Sequence, residues 1–331
     1  MSMTGRCYIV SASQVSSQKP LDDPWRDEPL RYDAKYVRSQ EPDVREYVSA
    51  GEARRMCRLL RRVVATSLTA LADAGIEVPD AVVTGTGMGC MENSEKFLID
   101  LCRNGEALLK PTLFMQSTHN TIGSLIGILL KAHGYNTTYS NGSLSFVSAL
   151  LDAWLQLREG AVGNALVGAH DETTPIMAEA MAMHTPVASF LSETSVSMVL
   201  SAVPHACGDP EVTRVELRDG LTPAYVAGTI DKDKPSIVVA GCGGYLADEP
   251  FYEELLRLVP EDVAVVEYKN IFGENFSSPA MGLYVGYSIM RYGTVPPFMI
   301  RRGKTAAKPD SVMVITPDSM VTLKRNGSCG G

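Results

Sequence analysis

The chain has no excess of positive charge. Its 30 Lys and Arg stand against 38 Asp and Glu, for a formal net charge of -8 and a pI of about 5.3, so no global field draws it to nucleic acid or to an anionic membrane. No apolar run approaches the roughly 18 residues a membrane-spanning helix needs. The opening MSMTGRCYIVSASQV has one Arg and no sustained apolar core, so a secretory signal is not expected. Seven cysteines, at positions 7, 57, 90, 102, 207, 242 and 329, include no C-x-x-C pair. That usage predicts reduced thiols in a cytoplasmic protein rather than a disulfide frame or a zinc site. Histidines 119, 133, 170, 184 and 205 share no element with another ligand at metal-binding spacing, so no metal is expected. GTGMG at 85–89 lacks the Gly-Lys-Ser/Thr of a phosphate loop, and Cys90 replaces the third glycine of a dinucleotide fingerprint. A tight strand-to-loop turn accounts for it, and no cofactor is predicted.

What is present is a chain of 331 residues, 45% hydrophobic, able to bury a large core as one domain or two halves. A strand is expected near Cys7–Ser13, followed by a surface excursion over about 18–48, rich in Asp, Arg, Pro and Tyr. Met56, Leu59, Leu60, Val63, Val64, Leu68 and Leu71 recur at three and four and mark a helix that begins at Gly51 and ends at Ala74-Gly75. AVVTG, YNTTYS and ALVGA read as strands, and SEKFLIDLCRNG and HNTIGSLIGILLKAHG as helices, the latter buried on most sides. SIVVA, PFYEELLRLV, VAVVEYKN and SPAMGLYVGYSIMRYG repeat the alternation in less space. This order predicts α/β architecture with a largely parallel sheet. It divides near Pro204–Asp209 into halves 1–205 and 206–331, the second shortened, with KRNGSCGG as a frayed tail.

Two spots could carry chemistry. In TTYSNGSLSFVSALLDAWLQL a strand breaks at Asn141-Gly142 and a helix striped by Phe146, Ala149, Leu150, Ala153 and Leu157 follows, which sets Ser143 at the elbow. A small nucleophile there would have helix amides beside it; equally, Asn141 to Ser145 could do no more than start the helix. His170-Asp171-Glu172, after the strand ALVGA, reads as a polar loop that is either catalytic or bonded to its own backbone.

Several stretches together resemble the β-ketoacyl synthases. RRMCRLLRRVVATSLTALADAGIEVPDAVVTGTGMG is similar to their helix, alanine-rich stretch and glycine-ended strand. TYSNGSLSFVSAL with QLREGAVGNALVGAHDE resembles their nucleophile elbow, helix and following strand. FLSETSVSMVLSA stands where those enzymes carry Gly-Glu-Gly, and KNIFGENFSSPAMGL resembles their Lys-Ser-Asn-x-Gly-His block. The resemblance runs from about Arg54 to Leu283 and implies a thiolase-like fold, two α/β halves in five αβαβα layers. It also implies that the nucleophilic cysteine falls on Ser143, the first histidine on Gly241 and the second on Glu274, while the block's lysine is kept as Lys269.

The family's chemistry needs a thiolate for the acyl chain and two imidazoles for decarboxylation. With none of the three, the resemblance implies a degenerate subunit, similar to the chain-length factors of aryl-polyene and flexirubin-type clusters, whose PT-F-x-QS-x-HN block resembles PTLFMQSTHNTIG. Such a subunit pairs with an active ketosynthase, or with itself when alone, and meets the acyl carrier protein through that partner. The resemblance places Phe114, Gln116, His119, Asn120, Gly123 and Tyr139 at the interface or beside the partner's acyl tunnel. The competing expectation is a serine acyltransferase or hydrolase with Ser143 as nucleophile and His119 or His170 as base.

Overall fold

The computed structural model describes residues 5–326. Its strands are β1 (Tyr8–Val15), β2 (Ala81–Gly85), β3 (Tyr135–Tyr139), β4 (Asn164–Asp171), β5 (Thr194–Ser201), β6 (Pro210–Leu217), β7 (Ile237–Ala240), β8 (Ala264–Glu267), β9 (Ile300–Arg302), β10 (Ser311–Thr316) and β11 (Ser319–Arg325). They lie in the order β3-β2-β4-β5-β1-β6-β11-β10-β7-β8-β9. A single register pair, Tyr8 with Glu211, joins β1 to β6, so that seam separates two half-sheets. Both follow one plan. β3-β2-β4 and β8-β7-β10 are parallel, and β5-β1 and β11-β6 are added antiparallel. β9 is an extra antiparallel edge on β8. The sheet is therefore mixed rather than largely parallel: β10 and β11 form a tight hairpin, and the longer connection from β4 to β5, although it carries a helix at Pro175–His184, brings β5 back antiparallel to β4.

The helices are α1 (Ala50–Arg55), α2 (Arg58–Ala74), α3 (Met91–Asn104), α4 (Pro111–Ser117), α5 (Thr121–Leu130), α6 (Ser145–Glu159), α7 (Pro175–His184), α8 (Pro223–Asp233), α9 (Glu249–Leu258), α10 (Lys269–Phe272) and α11 (Ser278–Tyr292). Alternate residues of each strand face opposite layers. Val83, Val167 and Met198 of one half-sheet and Val239, Val266 and Val314 of the other face inward on α6 and α11. Val82, Leu166 and Val199 face α2 and α5, and Val238, Val265 and Met313 face α8 and α9. Five layers result, two half-sheets around a central helix pair with a helical layer outside each. The predicted stripe of α6 is fully buried, and its alanines 149 and 153 let the central helices approach closely.

Local readings depart from expectation in three places. The helix expected from Gly51 is two, because Met56 turns extended and Cys57 starts α2 afresh. The 18–48 excursion is no loose surface segment: Trp25 is buried in the central core against Phe272, and Gln18 Nε2 donates to Ile271 O at 2.9 Å. A scattered aromatic and a few pinned backbone groups leave no periodic trace in sequence. Cys207 is disulfide-bonded, against the expectation of reduced thiols throughout, while Cys7, Cys57, Cys90, Cys102 and Cys242 are free. The end of the expected tail, 327–331, lies outside the described residues. Among the described residues no helix is long and apolar enough to cross a membrane.

Candidate functional site

The elbow forms because the backbone must turn sharply between β3 and α6, and Gly142 takes φ +54° to do so, a conformation that costs glycine little. α6 begins at Ser145, so Ser143 stands two residues ahead of the helix in the turn itself. The hydroxyl that holds the elbow belongs to Ser145, not Ser143. Ser145 Oγ accepts from Asn141 N at 2.8 Å and lies 3.0 Å from Thr86 O and 2.7 Å from Gly142 O. Ser143 is half-buried, and among the described residues no histidine nitrogen hydrogen-bonds it.

Asp171 braces the loop after β2. Its carboxylate, 1% exposed, accepts from Thr86 Oγ1 at 2.9 Å, Gly87 N at 3.0 Å, Met88 N at 2.8 Å and Ser277 Oγ at 2.6 Å. Burial pushes its pKa up, and these donors oppose the shift. Of the expected polar loop 170–172, His170 and Asp171 are thus the buried end of β4 and Glu172 follows it, and Asp171 ties the β2 loop to the segment before α11. Local sequence offered no sign of this, because all four donors come from 83 to 106 residues away.

Gly241, after β7, opens a loop under which the two remaining positions meet. A Cβ at Gly241 would stand 2.5 Å from Tyr252 Oη and 3.2 Å from Lys269 Nζ, and one at Gly244 would collide with the Glu274 carboxylate. Tyr252 and Lys269 therefore fill the ground an imidazole at 241 would need. Lys269 Nζ donates to Glu274 Oε2 at 2.5 Å, with the two side chains 5% and 1% exposed. Glu274 Oε1 accepts from Asn275 N at 3.0 Å and from Ser278 Oγ. Burial disfavours the ammonium, but Glu274, Tyr268 and Asp248 together outweigh burial and raise the Lys269 pKa. Glu274 is accordingly neutralised rather than projecting a free negative charge.

Phe276 closes the front. Its ring carbons Cδ1 and Cε1 lie 3.9 Å from where a Cβ on Gly142 would be, and its Cβ and Cγ press on Gly87. It also walls a cavity of about 340 Å³ lined by Met88, Met177, Met181 and Tyr245. The Tyr245 hydroxyl is buried without a partner. Neither candidate base joins this group. His170 is buried with Nδ1 2.6 Å from Ser195 Oγ, and Ser195 in turn meets Thr66 of α2. It therefore faces the outer helical layer, opposite to α6, and burial pushes its pKa down to about 3, leaving it neutral. His119 is exposed between α4 and α5, beside Gly89.

The profile of the β-ketoacyl synthase N-terminal domain matches residues 25–216, more than half of the chain. The chain belongs to the β-ketoacyl synthase family. No curated protein matches it by sequence. Among solved structures, the ishigamide ketosynthase/chain length factor superposes with a TM-score of 0.79 at 17% identity, covering 98% of this chain and 100% of the other. A β-ketoacyl synthase from Burkholderia phymatum gives 0.77 at 15%, covering 98% and 100%. A ketosynthase in complex with its chain length factor from Xenorhabdus doucetiae gives 0.71 at 13%, covering 98% and 99%. At such identities the likeness establishes the thiolase-like fold alone.

In this ketosynthase fold the expected interface residues separate. Phe114 is 58% exposed and tilted against Phe97 at 5.5 Å, His119 and Asn120 are exposed, and Tyr139 is half-buried at the end of edge strand β3. Gln116 instead donates to Arg55 O at 2.6 Å and accepts from Asn93 Nδ2 at 2.9 Å. Gly123 turns inward, where a Cβ would stand 2.8 Å from Asn136 Oδ1 and 3.2 Å from both Thr84 and Thr138 Oγ1. It is a packing glycine of this chain and does not test an interface.

Sequence reading missed a buried charge cluster behind the site. Glu193, in the segment where the family carries Gly-Glu-Gly, bonds Arg62 at 2.8 Å and Arg58 at 3.0 Å, and Arg62 also reaches Glu41 at 2.6 Å. Next to it Glu172 accepts from Glu92 N at 2.8 Å. Burial pushes the Glu172 pKa from 4.5 to about 7, partly opposed by that amide and by Arg62. Below pH 4.5 the carboxyl is protonated both folded and unfolded; as pH rises toward 7 the unfolded chain releases its proton first, so stability is lost and the deficit is complete above about 7. Glu172→Gln keeps an acceptor for the amide and carries no charge. It should stabilise the fold by up to about 3 kcal/mol at pH 8 and by almost nothing at pH 4, measured by urea unfolding at both. Equal effects at the two pH values would refute this.

Proposed function

We propose that this chain is a catalytically degenerate ketosynthase subunit of chain-length-factor type, which pairs with an active ketosynthase, helps shape its acyl tunnel and meets the acyl carrier protein through that partner. The supporting observation is the Lys269–Glu274 ion pair, which with Tyr252 fills the ground under Gly241 where an imidazole would have to work. Ser143 marks the nucleophile position with its geometry kept and its chemistry gone. The acyltransferase alternative has no observation in its favour, because among the described residues no histidine nitrogen hydrogen-bonds Ser143.

Pairing is supported by the face carrying α4, α5 and β3. β3 ends the sheet with one edge unpaired. Phe114, Met115 and Ile128 are 58%, 68% and 74% exposed, and a groove of about 420 Å³ lined by Met56, Leu125 and Leu129 runs beside them, a concentration that marks an interaction surface. The halves 1–205 and 206–331 act on this reading as one body, with the pairing face on the first. Purified alone, the chain should neither decarboxylate nor condense malonyl thioesters. Co-expressed with a Cys-His-His ketosynthase from a neighbouring reading frame, it should co-purify and set product length. Malonyl decarboxylation by the isolated chain that disappears in Ser143→Ala would overturn the reading.

A further inference from the structure

The groove of about 420 Å³ between the start of α2 and α5 has two chemically different ends. At one end Met56 and Leu60, both buried, meet the half-buried Leu125 and Leu129 of α5, and the exposed Met115 and Ile128 form the lips. None of the described side chains that line it is aromatic. Its walls are aliphatic chains and thioethers, which shape themselves to a flexible linear chain rather than to a ring.

The other end is polar, and most of its groups are already engaged. Thr118 Oγ1 and Thr121 Oγ1 lie 2.8 Å apart and both bond Met115 O. The Glu52 carboxylate accepts from Ser49 N at 3.0 Å and from Ser49 Oγ at 2.6 Å in the capping box of α1. By contrast, among the described residues no hydrogen bond or ion pair engages the Arg55 guanidinium, the Asn120 side-chain amide or the Ser124 hydroxyl. All three can donate, and one carries a full positive charge. Gln116 Nε2 donates to Arg55 O at 2.6 Å, which sets Arg55 beside the last turn of α4, close to where Asn120 starts α5. Along α5 the groove then passes from Asn120 and Ser124 to Ile128 and Leu129, a run of about 13 Å.

We propose that this groove binds a linear aliphatic carboxylate, with its head on Arg55, Asn120 and Ser124 and its chain on Met56, Leu60, Leu125 and Leu129. A guanidinium and two neutral donors match a carboxylate, which only accepts. An amine would instead find the Glu52 carboxylate tied into the cap of α1. The length of the run is the reach of an extended decanoate. Arg55 is exposed, so water and salt screen its contact, and the charged head adds about fivefold in affinity rather than a hundredfold. Ser143, Gly241, Lys269 and Glu274 take no part in the groove. The site is complete in the single chain and stands apart from the pairing reading.

The test titrates the full chain, methyl-labelled at methionine, with decanoate below its micelle concentration and with decanol. The Met56 and Met115 methyl resonances, assigned with Met56→Leu and Met115→Leu, should shift together and saturate, with a dissociation constant on the order of 10–100 µM. Decanol should bind about fivefold more weakly. Arg55→Gln alters an exposed side chain and keeps the backbone carbonyl that Gln116 holds, so it should fold as the parent does. It should weaken decanoate about fivefold and leave decanol within about twofold. The proposal is overturned if neither methyl shifts by about 1 mM decanoate, or if the shifts fall instead on Met88, Met177 and Met181 around the cavity that Phe276 walls. Equal binding of decanoate and decanol, or an Arg55→Gln chain that binds decanoate as the parent does, also overturns it. So does a response of the two methyls only when a ketosynthase subunit is added, which would assign the groove to that subunit's side chains.

Discussion

Lys269→Met is expected to destabilise the chain by about 3–5 kcal/mol, because it strands the Glu274 carboxylate in the core. Glu274 is 1% exposed, and its remaining donors, Asn275 N and Ser278 Oγ, are neutral. The companion change tests the cause. In Lys269→Met with Glu274→Gln no buried charge is left, while the amide oxygen still accepts from Asn275 N, so at least half of the loss should return. Equilibrium urea unfolding of the single and double variants gives the comparison. A single-variant cost below about 1 kcal/mol would mean that the pair is hydrated and that the ground under Gly241 is open. The same result would remove the main support for a degenerate site.

A charge on the exposed apolar face should abolish pairing without harming the fold. Ile128→Glu places a carboxylate at a position 74% exposed in the single chain, where a substitution usually changes stability by about 0.5 kcal/mol or less. Against a partner the same carboxylate would be buried and unpaired, at a cost of several kcal/mol, so association should weaken by roughly a hundredfold or more. Co-purification with the partner ketosynthase and light scattering report the pairing, and thermal unfolding reports the fold. Gly123→Glu is the contrasting variant. Its side chain would enter the space held by Asn136, Thr138 and Thr84, and it should fail to fold whether or not a partner is present. An Ile128→Glu chain that pairs as well as the parent would place the interface elsewhere.

The elements themselves were legible in sequence because their signals are periodic and local. The α6 stripe, the alternation through each half and the resemblance at the elbow all rest on residues within one element or its neighbours, and these led to five layers and to the position of Ser143. What sequence could not settle was which of several nearby polar groups does the holding. Ser143 and Ser145 are equivalent as letters in SNGSLS. Only the turn at Gly142 aims the hydroxyl of Ser145 at Thr86 O and Asn141 N and leaves Ser143 without such partners.

The replaced residues show the same division. Sequence by itself puts Ser, Gly and Glu at positions 143, 241 and 274, where the resemblance implies a thiolate and two imidazoles. Taken by its residue type alone, a carboxylate at 274 would repel a developing enolate. Tertiary structure decided otherwise, by folding Lys269 back over one helical turn onto Glu274 and bringing Tyr252 from another helix beneath Gly241. The sign and strength of a buried charge depend on what lies within a few ångströms. Those neighbours are chosen by the meeting of β7, α9 and α10, which no local pattern encodes. For the same reason the resemblance could set Gly123 at the interface, while the packing of α5 on β2 and β3 turns it inward. On the same helix, Ser124 and Ile128 are the residues left exposed.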